Sequence, residues 1–153
     1  MRLLLIGSAL VALAAAPALA EPEVSVESVQ SAVEVYFGQT NQVTLANWRG
    51  QGSGPGDWGM QRRVTGAKTT QRCITVLQTP QVLFQGGQGA ANPSKTYGID
   101  WAKLSDIQRD GKIIVFRAAH MASDEFGEFD FPAEDEAEMF EAVMSYLADA
   151  CRK

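Results

Sequence analysis

Few side chains in this sequence could do acid–base chemistry at neutral pH. His120 is the only histidine, and Ser123, Asp124 and Glu125 follow it closely along the chain. A histidine near a carboxylate or a hydroxyl is the usual core of a hydrolytic site. No Gly-x-Ser-x-Gly sequence, which would hold a nucleophilic serine on a sharp turn, accompanies them. A small hydrolase centred on His120 is therefore one hypothesis, and an ordinary surface histidine near the end of a strand is the alternative.

A glycine-rich segment at residues 50–59, GQGSGPGDWG, raises the question of phosphate binding. A phosphate loop needs a lysine and a hydroxyl residue after its last glycine, and a dinucleotide fingerprint needs a helix there. The chain instead continues as MQRRVTG, which is typical of a strand. We interpret the segment as a loop whose Asp57 and Trp58, with Arg62 and Arg63 just after it, form a candidate binding site, because aromatic side chains on loops often anchor partners. The alternative is that Trp58 covers the core.

Two cysteines, Cys73 and Cys151, are the only ones in the chain. In an exported protein an even cysteine count indicates a disulfide, so we expect these two to be paired. A catalytic redox pair usually has the spacing Cys-x-x-Cys, and a zinc site needs more ligands than two cysteines and one histidine. The sequence therefore predicts one structural disulfide and neither a metal nor a cofactor.

The N-terminal segment, residues 1–20, reads MRLLLIGSALVALAAAPALA. One positive charge, an apolar run and the small residues Ala18 and Ala20 are typical of a secretory signal peptide. We expect cleavage after Ala20, a single globular domain over 21–153, and a location in the periplasm or outside the cell. No later run approaches the ~20 apolar residues that a membrane-spanning helix needs.

The charges are unevenly distributed along the chain. The protein has 18 acidic and 13 basic residues and a net charge of −5, which argues against a nucleic-acid partner. Acidic residues dominate 118–151, which contains no lysine or arginine, whereas basic residues are concentrated in 49–72. One interpretation is an ordinary solvated helix and strand edges. The other is an acidic face that steers a cationic protein.

Two helices are predicted to enclose the β region. SVESVQSAVEVYFG, residues 25–38, has apolar residues at helical spacing, with Ser25 as N-cap and Gly38 as the stop. PAEDEAEMFEAVMSYLADAC, residues 132–151, is the stronger pattern and must pack on a sheet. Its apolar stripe consists of Phe140, Val143, Met144, Leu147 and Cys151.

Between the helices, residues 43–131 read as short β runs separated by turn residues. The runs are VTLANW, RRVTG, RCITVLQ, QVLF, TYGIDW, LSDIQR, KIIVFRA and EFDF, of which TYGIDW and LSDIQR could form one bent strand. Asp110 and Gly111 predict a tight hairpin before KIIVFRA. The sequence thus predicts an α+β fold: an N-terminal helix, a mostly antiparallel sheet or partly open barrel of six to eight short strands, and a C-terminal helix packed on it.

The element order over residues 95–151, a strand meander followed by an amphipathic helix, is loosely similar to that of PH-like barrels. This resemblance implies a sheet closed by a helix and carries no function. The leading expectation is an exported, non-enzymatic binding domain whose partner is a cationic protein or a small envelope ligand. The alternatives are the hydrolase and a structural subunit of an envelope assembly.

Overall fold

The structure, a computed structural model, describes residues 24–48, 60–85 and 96–153. The predicted signal peptide and the candidate residues Asp57 and Trp58 lie outside these ranges. The described residues form two α-helices, nine strands and one 3₁₀ helix. Helix α1 spans Val26–Gln39, helix α2 spans Glu134–Cys151, and the 3₁₀ helix spans Trp101–Lys103. The strands are β1 (Thr44–Ala46), β2 (Met60–Arg63), β3 (Gly66–Gln71), β4 (Ile74–Gln78), β5 (Gln81–Gln85), β6 (Thr96–Asp100), β7 (Leu104–Asp110), β8 (Ile113–Ala118) and β9 (Gly127–Asp130).

Helix α1 begins where its capping residues predict. The Ser28 backbone N–H donates to Ser25 Oγ at 3.1 Å, and the Ser25 N–H donates to Ser28 Oγ at 3.2 Å. These two bonds satisfy donors at the start of the helix that have no partner within it. The predicted N-cap, Ser25, is therefore confirmed. The helix continues one residue beyond Gly38, which does not act as its stop.

The strands form one large and one small antiparallel sheet. The six-stranded main sheet has the order β5-β2-β1-β9-β8-β7, and the three-stranded sheet has the order β3-β4-β6. In the main sheet β1 lies between β2 and β9, where Leu45 faces Arg62 on one side and Phe129 on the other. The main sheet is open at β5 and β7. The α+β prediction with a mostly antiparallel sheet is confirmed, and over the described strands the sheet does not close into a barrel.

Three details of the β region differ from the prediction. The described residues contain nine strands, because GAKTTQ, which is not among the predicted runs, forms β3. The runs TYGIDW and LSDIQR are not one bent strand, since the 3₁₀ helix Trp101–Lys103 separates β6 in the small sheet from β7 in the main sheet. The predicted hairpin joins β7 to β8, but its two-residue loop is Gly111 and Lys112, with Asp110 paired to Ile113. Gly111 has a φ of 57°, which a tight hairpin loop requires at its first position.

The helices cover the sheets and contact each other. Helix α2 lies on β7, β8 and the 3₁₀ helix, while α1 lies against β3 and α2. The rings of Phe37 on α1, Phe129 on β9 and Phe140 on α2 meet with centroids 5.2 to 6.1 Å apart. All three rings are buried. This aromatic cluster fixes the two helices side by side above the main sheet.

The disulfide joins the end of α2 to the small sheet. Cys73 and Cys151 are bonded with an S–S distance of 2.03 Å across 78 residues of sequence, so the predicted pairing is confirmed. Cys73 lies in the turn between β3 and β4. The buried Gln30 of α1 holds the same turn, since its Oε1 accepts from the Cys73 N–H at 3.0 Å and its Nε2 donates to Thr75 Oγ1 at 3.3 Å. Both helices are therefore fastened to one turn.

Candidate functional site

Helices α1 and α2 run antiparallel, and the line between them on the surface is here named the helix seam. Near the start of α1, the Tyr146 hydroxyl donates to the Val24 carbonyl at 2.6 Å. Near the end of α1, the Tyr36 hydroxyl donates to Glu136 Oε2, also at 2.6 Å. The start of α1 therefore contacts the later part of α2, and the end of α1 contacts the start of α2, so the two helices point in opposite directions.

The seam holds an apolar groove toward the end of α1. Its volume is about 460 Å³, within the range of roughly 300 to 1,000 Å³ typical of ligand sites. Apart from Gln39, the side chains that line it are apolar or aromatic. They are Ala32, Val33, Val35, Tyr36 and Gln39 from α1, and Met139, Phe140 and Val143 from α2.

Two apolar side chains of this groove face the solvent. Val35 is 56% exposed and Met139 is 50% exposed, whereas their neighbours Val33 and Phe140 are buried in the core. An amphipathic helix normally carries polar residues outside its core stripe. Val35 and Met139 depart from that pattern on adjacent helices, and exposed apolar groups that cluster in this way mark contact surfaces.

Acidic residues flank one end of the groove. Asp135 and Glu136 lie one turn before Met139 on the same side of α2, because residues three and four apart share a helix face. Glu138 and Glu141 lie on the other side of α2, where Arg109 of β7 pairs with them at 3.8 and 3.0 Å. The predicted acidic face of α2 is thus divided. One part pairs with Arg109 of the sheet, and the other borders the groove.

Tyr36 connects the groove to its acidic end. Burial raises the pKa of the Tyr36 hydroxyl well above its ordinary value, and the hydrogen bond to Glu136 adds to this effect. Tyr36 therefore stays protonated and donates to Glu136 throughout the neutral pH range. This bond holds the Glu136 carboxylate beside the groove.

Basic residues lie at the opposite end of the seam. A second cavity, of about 630 Å³, follows the seam toward the start of α1, and Tyr146 and Ala150 line it on the same side of α2 as Met139 and Val143. Arg72 and Lys153 also line this cavity. Arg72 Nε pairs with Glu27 at 3.1 Å, while Lys153 is exposed. The seam therefore runs from acidic residues, through apolar ones, to basic ones.

His120 lies on the surface at a distance from the seam. Its ring meets Trp48 edge-on, with centroids 5.5 Å apart. Ser123 and Asp124 are exposed, and Glu125 is half-buried and accepts a hydrogen bond from the Ala122 N–H at 3.1 Å. None of these residues lines either of the two cavities. The hydrolase stays a prediction.

The predicted binding arginines point to opposite faces of β2. Arg62 is only 2% exposed, and its Nη1 donates to the Thr79 carbonyl at 3.3 Å. Arg63 instead donates to the Asn41 carbonyl on the other face. Successive side chains of a strand alternate between the two faces, so these arginines do not share a surface. Asp57 and Trp58, the other members of that predicted site, lie outside the described residues.

The described ranges, 24–48, 60–85 and 96–153, contain neither a metal-binding cluster nor a helix that could cross a membrane. Their histidine, cysteine and carboxylate side chains form no cluster of three or more that could hold a metal ion. Neither α1 nor α2 combines the length and the apolar character of a membrane-crossing helix. Comparisons with protein-family models, with curated proteins and with solved structures find no match.

The sequence reasoning missed the groove although its signal was present. Val35 and Met139 lie outside the apolar stripes that predicted the two helices. A search for large apolar residues on the solvent sides of both helices would have found them. Only the antiparallel contact of α1 with α2 shows that they belong to one surface.

Proposed function

We propose that this protein is an exported, non-enzymatic binding domain that recognises its partner through the helix seam. The observation that carries the proposal is the apolar groove, with Val35 and Met139 half-exposed on adjacent helices. Export to the periplasm or the cell exterior rests on the signal-like segment 1–20 and agrees with the disulfide, which is typical of oxidising compartments.

The groove defines what a partner must present. Apolar side chains are needed to fill it, and burial of each one stabilises a complex by roughly 1.5 to 3 kcal/mol before the costs of association. Positive charge is needed opposite Asp135 and Glu136, which border the groove. A helix with apolar residues along one face and basic residues beside them meets both requirements. A cationic protein with such a helix fits better than a small envelope ligand, which would leave the acidic end unmatched.

The test uses a synthetic helical peptide with leucines along one face and lysines beside them. Binding is followed by fluorescence anisotropy. We expect the double variant Val35→Thr/Met139→Gln to bind the peptide at least about tenfold more weakly. A tenfold change in affinity corresponds to about 1.4 kcal/mol, and the two substitutions remove at least that much favourable apolar burial. The two substitutions nearly preserve side-chain volume, so the fold is retained.

The control is Ser145→Gln, which also places an amide on α2, at an exposed position on the side of the helix away from the groove. It should bind the peptide as the wild type does. His120→Ala should also leave binding unchanged, whereas the hydrolase hypothesis requires that substitution to abolish a hydrolytic activity. Equal binding by the double variant and the wild type would contradict the proposal.

A further inference from the structure

We infer that Met139 is an oxidation site through which a hydroperoxide controls partner binding at the helix seam. The inference rests on the proposed function, because it takes the apolar groove to be the partner site, and it adds a means of regulation. Its evidence is the position of one thioether. Among the described side chains that line the groove, only Met139 contains sulfur, and half of this side chain is exposed to solvent.

Burial separates Met139 from the other methionines whose side chains the structure describes. Met144, on the same helix, is buried in the core, and Met121 is partly buried against the core. A thioether is oxidised only when the oxidant touches its sulfur, so an exposed methionine reacts before a buried one. Of these three side chains, Met139 is therefore the one that an oxidant in solution reaches most easily.

The reaction needs a hydroperoxide, such as hydrogen peroxide, as its oxidant. The Met139 sulfur attacks one peroxide oxygen, so that an S–O bond forms and the O–O bond breaks. The proton of the transferred hydroxyl passes to the departing hydroxide, which leaves as water. The sulfur loses two electrons, the peroxide gains them, and methionine sulfoxide is the product. Asp135 and Glu136 lie one turn before Met139, and their negative charge favours an uncharged oxidant over an anionic one.

A sulfoxide at position 139 makes the exposed edge of the groove polar. The S–O group is a hydrogen-bond acceptor, and an apolar side chain of a partner that covers it offers no donor in exchange for water. Met139 lies outside the stripe by which α2 packs on the core, whereas its neighbour Phe140 is buried. Oxidation therefore weakens the complex and leaves the fold intact.

The same geometry makes a bound partner protect the thioether. A helix that fills the groove covers Val35 and Met139 together, because both side chains line it. The sulfur of the complex is then out of reach of the oxidant, while that of the free protein is not. Oxidation thus acts on the free protein and prevents it from binding again.

The experiment treats the exported, disulfide-bonded protein with hydrogen peroxide and follows each methionine by peptide mass spectrometry. We expect Met139 to be oxidised faster than Met121 and Met144. A saturating amount of the leucine–lysine peptide, which contains no sulfur, should slow the reaction of Met139 but not that of Met121. The affinity of the oxidised protein for the peptide, measured by fluorescence anisotropy, should fall by about fivefold or more. Its melting temperature should stay close to that of the untreated protein.

Two variants assign the loss of affinity to one sulfur. In Met139→Leu the groove has no thioether, so peroxide should leave this variant at its own untreated affinity, whichever other methionines react. In Met121→Leu the groove is intact, so peroxide should weaken binding as it does in the wild type. A loss of affinity in peroxide-treated Met139→Leu would overturn the inference, because the responsible residue would lie elsewhere.

The outcomes separate this inference from the proposed function. If Met139 is oxidised and the affinity for the peptide is unchanged, the inference is overturned and the seam remains a binding site. A Met139 that reacts no faster than the buried Met144 also overturns it. A loss of affinity that comes with a lower melting temperature overturns it too, because oxidation then acts on the fold. If the untreated protein does not bind the peptide, the proposed function fails and the inference fails with it, whatever the rate at Met139.

Discussion

Gly127 lies where β9 passes under two aromatic rings. A methyl group added there would lie 2.8 Å from Phe116 Cζ and 3.0 Å from Trp48 Cε3. Both rings are buried and pack against each other at a tilt of 46°, with their centroids 5.1 Å apart, so neither can move freely. We expect Gly127→Ala to lower the free energy of unfolding by about 1 to 3 kcal/mol through overpacking.

Urea unfolding of the Gly127→Ala variant measures this effect. The matched control is Gly98→Ala in β6, where an added methyl group meets nothing within 4 Å. The control should be neutral or slightly more stable, because alanine reduces the freedom of the unfolded chain. Equal unfolding midpoints for the two variants would show that the rings adjust at no cost.

Glu128, the next residue, should make stability depend on pH. Burial raises the pKa of its carboxyl group, and the neighbouring Asp130 raises it further. A folded-state pKa above the unfolded value of about 4.3 means that the folded protein binds the proton more tightly than the unfolded chain does. Stability therefore falls as the pH rises from the unfolded pKa through the folded one. Glu128→Gln should therefore stabilise the protein at pH 7 by at most about 1 kcal/mol, since solvent screens a half-buried group.

Melting temperatures of Glu128→Gln and the wild type across the acidic range check this sign. Their difference should be full at neutral pH, shrink as the pH falls through the raised folded-state pKa, and be gone below the ordinary glutamate value. Glu34 provides the opposite control, because the Thr69 backbone N–H donates to its carboxylate and lowers its pKa. Its stabilising contribution is present at neutral pH and is lost on acidification. A Glu128→Gln advantage that grew at low pH would contradict the assignment.

Residue types predicted the local chemistry of this chain better than they predicted its contacts. Ser25 as a cap and the pairing of Cys73 with Cys151 both followed from the sequence, because each depends on local rules or on a count. The burial of Arg62 could not be predicted from the sequence, because whether a charged side chain is buried on a sheet face depends on which strands flank it. In the structure Arg62 lies opposite Leu45 on β1, within the buried face of the main sheet.

Among the elements, the turn between β3 and β4 depends most on the disulfide. Cys73 has a φ of 68°, a left-handed conformation that a residue with a side chain adopts at a cost of roughly 1 to 2 kcal/mol. Removing the bond with Cys73→Ala/Cys151→Ala should lower the free energy of unfolding by about 2 to 5 kcal/mol. Cys73→Gly/Cys151→Ala should be about 1 kcal/mol more stable than the alanine pair, because glycine adopts this conformation freely.

Denaturant unfolding of the two double variants separates the stability contribution of the disulfide from the cost of the turn conformation at Cys73. A thiol assay of the native protein should detect no free cysteine. If the alanine and glycine variants are equally stable, the turn relaxes once the disulfide is gone. A result of that kind would mean that Gln30, which accepts from the Cys73 N–H, does not hold the turn by itself.

Helices and strands differ in how well the sequence predicted them. Each helix has an apolar stripe and neither is interrupted by proline, so both could be located before the structure. Strand β3 could not, because GAKTTQ has only Ala67 to mark an apolar face. It is nevertheless ordered as a strand, since it pairs with β4 and α1 lies against it, with Glu34 accepting from the Thr69 N–H. Support of this kind comes from tertiary contacts and leaves no periodic pattern.

At the scale of the whole molecule, the proposed binding surface, the helix seam, is formed by two helices that are far apart in the sequence. The sequence shows that α2 is acidic, but it does not show that Arg109 pairs with Glu138 and Glu141 on one side of that helix while the other side lies beside α1. The loose likeness to PH-like barrels predicted a sheet covered by a helix. It did not predict the second sheet or the open edges of the first.

The position of β1 in the main sheet has a consequence for the order of folding. This strand is the first in the sequence, yet it pairs with β9, the last, so Thr44 faces Asp130. The centre of the sheet cannot assemble until nearly the whole chain is available, and native pairings between residues so distant give a high contact order and slow folding. A nascent chain of this design therefore cannot complete its main sheet while it is still being synthesised. Under the export proposed above, that delay would keep the polypeptide competent for translocation across the membrane.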